Sequence, residues 1–112
     1  MAIKRIVLCP YSHSDWAWIC TREWHAKRYI RAFEIALDLM DAGTGFTWFI
    51  DSWHEQFGPI RDNRPDLVER MKLHVTSGAF GLGPGAFTNP SIDACTKEVL
   101  IRNMLLGQRN FR

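Results

Sequence analysis

Apolar positions along this chain follow two rhythms. Short unbroken runs, "IVLC" at 6–9 and "FTWFID" at 46–51, are rich in branched and aromatic residues and predict buried strands, the first closed by Pro10. Between them Tyr29, Phe33, Ala36, Leu37 and Met40 recur at spacings of three and four. Arg28, Arg31, Glu34, Asp38 and Asp41 occupy much of the remaining surface, so the stretch predicts an amphipathic helix. Thr21 offers a capping hydroxyl with Glu23 in the first turn, and Gly43 stands where such a helix would stop. "SWHEQFGPI" begins a short helix that Gly58-Pro59 should break, and "RPDLVERMK" is helical with Pro65 at an early position that tolerates it. "LHVTS" (73–77) predicts a third strand. A glycine-rich loop and the amphipathic "TKEVLIRNMLLGQRNF" follow.

Strands alternating with helices imply parallel pairing through right-handed crossovers, an α/β architecture in the order β-α-β-α-β-α. Three parallel strands make a thin sheet, because parallel sheets normally have both faces covered and more strands than this. Residues 1–112 therefore read as a single domain that is the first part of a larger α/β unit.

Composition excludes more than it selects. Hydrophobic residues make up 46% and charged residues 23%, ordinary for a globular protein, and the formal net charge is only +2. No Lys/Arg run exceeds two residues, so neither a nucleic-acid nor a membrane partner is expected. No stretch approaches the roughly 20 apolar residues of a membrane span. Cys9, Cys20 and Cys95 are odd in number, widely spaced and without a C-x-x-C pair, which argues against a disulfide framework. With "IVLC" too short for a signal-peptide core, a cytoplasmic location is expected.

The chemistry gathers in "YSHSDWAW" (11–18). In an extended segment residues two apart point the same way, so His13 and Asp15 converge just beyond the first strand, on the edge where α/β folds keep their sites. Imidazole nitrogen and carboxylate oxygen are both zinc ligands, and a third ligand must come from elsewhere. The same pair also fits an aspartate that caps the next turn and a histidine bonded to backbone. Trp16 and Trp18 offer flat indoles suited to a sugar's C–H face, or plugs for a core. Asp51 ends the second strand on the same rim, placed to contact substrate, to support a ligand, or to cap "SWHEQF". "GAFGLGPGA" matches a dinucleotide fingerprint formally, but no helix opens directly behind it, and nucleotide binding is set aside. His25, His54 and His74 read as surface or packing residues, and Arg102 and Arg109 as solvation of one helix face.

At this point "LCPYSHSDWAW" resembles the opening zinc motif of glycoside hydrolase family 38, the α-mannosidases, with His13, Asp15 and Trp18 at the motif positions. "FTWFIDSWHEQF", "PDLVERMKLHVTSGAF" and "EVLIRNMLLGQRNF" are similar to later segments of that family, in order and across nearly the whole chain. The resemblance implies the N-terminal portion of an irregular β/α barrel of the seven-stranded type. It also implies one zinc ion, or another divalent metal, held in part by His13 and Asp15, with Trp18 as the sugar platform. In such enzymes the metal binds two hydroxyls of a mannose, an aspartate attacks the anomeric carbon, and a separate acid protonates the leaving group, with net retention.

The chain departs from the family pattern at the nucleophile loop. Counting back from Leu100-Ile101-Arg102 reaches Pro90-Ser91, so a serine stands where the attacking carboxylate is expected. Asp93, two residues on, is the candidate nucleophile, or else a turn residue ahead of the last helix. The family's distant zinc-binding histidine and its general acid have no counterpart up to Arg112, so a truncated or split catalytic barrel is expected. Two other readings stay open: a zinc-dependent carbohydrate deacetylase on the same kind of barrel, and a non-catalytic carbohydrate-binding module, which Ser91 favours. Apolar faces left open predict self-association or a complementing fragment, with carbohydrate as the substrate.

Overall fold

The computed structural model describes residues 3–13, 18–83 and 85–110. Helix α1 (Arg22–Asp41) starts where expected: the Thr21 hydroxyl accepts a hydrogen bond from the Trp24 amide at 3.2 Å. It buries Tyr29, Phe33, Ala36, Leu37 and Met40, the stripe read from the sequence, and ends at Ala42 with Gly43 at φ 66°. Strand β1 (Trp48–Ile50) follows. A π-helical turn (Trp53–Phe57) then runs into α2 (Gly58–Asn63), so Gly58-Pro59 does not break the helix. Pro59 lies in the first turn of α2, where a missing amide proton does no harm.

Helix α3 (Pro65–Ser77) corrects a second expectation, because 73–77 is its last turn and not a strand. Leu67 and Met71 are buried and Val75 packs on the same core, so a four-residue period carries through the branched residues. The Thr76 hydroxyl bonds back to the Lys72 carbonyl, and Gly78, left-handed at φ 81°, stops the helix. The strand comes later, as β2 (Phe80–Leu82), parallel to β1 with Trp48, Phe49 and Ile50 opposite Phe80, Gly81 and Leu82. A Cβ on Gly81 would lie 2.9 Å from the Phe49 Cβ, so the close approach needs glycine. A 3-10 turn (Ile92–Ala94) and helix α4 (Lys97–Asn110) complete the described chain.

The observed class is mixed α/β, with a two-stranded parallel sheet and helices around a core of Phe33, Leu37, Ile50, Phe57, Ile60 and Leu67. The first segment is not the buried strand expected. Among its described residues only Tyr11 bridges to β1, pairing with Phe49 in the parallel sense, and the Phe49 amide donates to the Pro10 carbonyl at 3.2 Å. Ile3, Ile6, Val7 and Leu8 are exposed because no described layer covers them. None of the described helices is long and apolar enough to cross a membrane.

Candidate functional site

The ends of the first segment and of β1 are drawn together by one buried amide. The Gln56 side chain accepts from the Asp51 backbone N–H at 3.1 Å and donates to the Ser12 carbonyl. Gln56 is held by the π-helical turn directly behind β1. The result is a meeting of two side chains 38 residues apart: His13 Nδ1 lies 2.8 Å from Asp51 Oδ2. Half of the His13 side chain is exposed, whereas Asp51 is 12% exposed. A third residue joins from the loop after β2, where Asn89 donates to Asp51 Oδ2 at 3.0 Å and lies 3.2 Å from His13 Nδ1.

The proton arrangement follows from these distances. A carboxylate oxygen only accepts, so at 2.8 Å the histidine nitrogen facing it is a donor. That puts the ring's lone pair, when neutral, on Nε2. The other Asp51 oxygen is buried with no hydrogen-bond partner among the described residues, a cost that ordinary surfaces avoid. The cap of the π-helical turn is Ser52, with no side-chain cap bond, so the Asp51 side chain serves the rim rather than the helix.

His13 and Trp18 line a groove of about 290 Å³ together with Trp24 and Arg28. Trp18 is 76% exposed, so it is no core plug. Asp15 and Trp16 lie outside the described residues. Asp93 is exposed in the 3-10 turn, beyond Asn89 on the same loop. Among the described residues no three His, Cys, Asp or Glu side chains form a group able to hold a metal. His25 is buried, His54 stacks on Phe87 at 4.8 Å, and His74 bonds to Asp41 at 2.6 Å, the packing and surface roles expected of them.

Sequence reasoning missed Gln56, Asn89 and Asn103. The last sits on α4, where a lone asparagine in "IRNMLLG" was the only signal of a buried polar contact. Its side chain accepts from the Thr88 amide at 2.9 Å and donates to the Thr88 carbonyl at 2.8 Å.

Residues 4–112 match the family described as "Glycosyl hydrolases family 38 N-terminal domain". The chain is 28% identical over 107 residues to "Alpha-mannosidase G" of Dictyostelium discoideum, covering 96% of this chain and 10% of that protein. It thus spans about a tenth of the length of that relative. The chain belongs to glycosyl hydrolase family 38, whose N-terminal domain its residues 4–112 match.

Proposed function

We propose that this chain supplies the zinc-holding rim of an α-mannoside site on a β/α barrel of the retaining type. The observation that carries the reading is the His13–Asp51 contact. A carboxylate on one ring nitrogen is the usual outer partner of a metal-bound histidine, because it fixes the tautomer and aims the other nitrogen outward. Imidazole and carboxylate suit zinc by their chemistry: His13 and Asp15 would hold it, and Asp51 would support His13 rather than touch the ion. When bound, zinc would hold and orient neighbouring sugar hydroxyls.

The chain's own groups do the rest of the work in this reading. The Trp18 indole offers a face for the sugar's C–H surface beside His13. Asp93 is the carboxylate nearest in sequence to the expected nucleophile position. A second reading, a carbohydrate-binding module without turnover, is favoured by a specific observation: the loop residue that reaches the rim is Asn89, a neutral amide that cannot attack carbon. Free Cys9, Cys20 and Cys95 support a reducing, cytoplasmic setting.

Calorimetry of methyl α-mannoside with the zinc-loaded chain tests the reading. Zinc-dependent binding that Trp18→Ala removes is expected, whereas binding that ignores both zinc and Trp18 would contradict it. Released mannose from an aryl α-mannoside would then select the hydrolase over the binding module.

A further inference from the structure

We infer that Asn89 is a positioning residue for His13, and that Asn103 on α4 is its anchor. Three atoms meet at the rim: His13 Nδ1, Asp51 Oδ2 and Asn89 Nδ2, at 2.8, 3.0 and 3.2 Å from one another. With the Asn89 amide and the His13 Nδ1–H both donating to Oδ2, the carboxylate oxygen accepts two hydrogen bonds, and the Asn89 and His13 nitrogens lie side by side as its two donors. Were the lone pair on Nδ1, two acceptors would face each other at hydrogen-bonding distance and repel. Asn89 thus fixes the carboxylate rotamer that in turn fixes the imidazole tautomer.

An exposed loop side chain holds such a geometry only if its backbone is itself held. Here the residue before it is clamped on both backbone groups by the Asn103 side chain, and the Phe87 amide donates to the Asn103 carbonyl at 3.1 Å. Asn103 is 8% exposed, so these bonds form away from competing water. Gly107, one turn further along α4, permits the approach, because a Cβ there would overlap the Gly85 carbonyl. The relay runs from α4 through the loop to the carboxylate and the ring. Its bearing on metal affinity rests on the zinc reading, but its bearing on the ring proton does not.

The test uses the full chain with nitrogen-15 histidine. Spectra are taken metal-free at alkaline pH where the ring is neutral, then during zinc titration. The parent should carry the His13 proton on Nδ1. Asn89→Ala, an exposed change that leaves the core alone, should shift that proton toward Nε2 and weaken zinc by about tenfold or more. Asn89→Ser, which keeps a donor, should restore part of both, and Asn103→Ala should move both in the same direction. Asn63→Ala, which removes an amide bonded to the Pro59 carbonyl in α2, should change neither. An unchanged tautomer in Asn89→Ala overturns the inference. A shifted tautomer in a protein that binds no zinc upholds it and removes the zinc reading instead.

Discussion

His13 and Asp51, 38 residues apart, meet at 2.8 Å between Nδ1 and Oδ2. The contact joins the end of the first segment to the end of β1, at the carboxyl edge of a parallel sheet. The contact is specific enough to break by single substitutions.

Replacing Asp51 with alanine should weaken zinc binding about 10- to 100-fold, the usual effect of losing a ligand's outer carboxylate. Asp51→Asn should lie between parent and alanine, since its carbonyl still accepts from Nδ1–H. Competition with a chromogenic chelator measures both, and parental affinity in Asp51→Ala would refute the supporting role.

Acid should weaken the contact between α1 and α3. The His74 ring and the Arg70 guanidinium hold the Asp41 carboxyl below its ordinary range, and Arg64 does the same for Glu34 and Asp66. Lowered folded values mean that the unfolded chain takes up these protons first as pH falls. The contribution is then complete above the ordinary carboxylate range near about pH 4 and is lost below it. Urea midpoints should therefore hold between about pH 7 and about pH 5 and drop by about pH 3, with a smaller drop in Arg70→Ala. An equal drop in parent and variant would contradict the assignment.

Gly107→Ala should destabilise the chain by about 1–3 kcal/mol, because the added methyl meets backbone at Gly85 and Ala86 rather than a yielding side chain. Gly43→Ala, at a position with open space but φ 66°, should cost about 1 kcal/mol through backbone strain alone. Denaturant curves separate the two; equal effects would argue against close packing of α4 on the loop.

Exposed Ile3, Ile6, Val7 and Leu8, with Val99, Ile101, Leu105 and Leu106 on α4, leave apolar surface without a described cover. Surfaces of this kind mark association. Size-exclusion chromatography should show species larger than a monomer, reduced by Leu105→Glu. A clean monomer at all concentrations would count against a missing layer.

Helix α1 was legible because its evidence is local: a period near 3.6, a capping hydroxyl and a glycine stop. Residues 73–77 were misread because Val75 and Thr76 favour strands in isolation, whereas packing of Val75 on the core settles the matter for helix. The α/β class followed from alternation, but the first segment's exposure did not, since burial depends on neighbours that periodicity cannot name. At the site, His13 and Asp51 each stood out as strand-end residues. Their contact was not legible, because it depends on Gln56 bridging two backbones from a buried position. Asn89 carried no pattern at all, and only the Asn103 clamp explains its place.

We propose that His13 and Asp15 face one metal ion. Metal analysis of the purified chain after zinc loading and desalting tests it most directly. One zinc per chain is expected, lost in both His13→Ala and Asp15→Ala while the far-ultraviolet spectrum is kept. A parent that retains no zinc, or an Asp15→Ala variant that retains all of it, would contradict it.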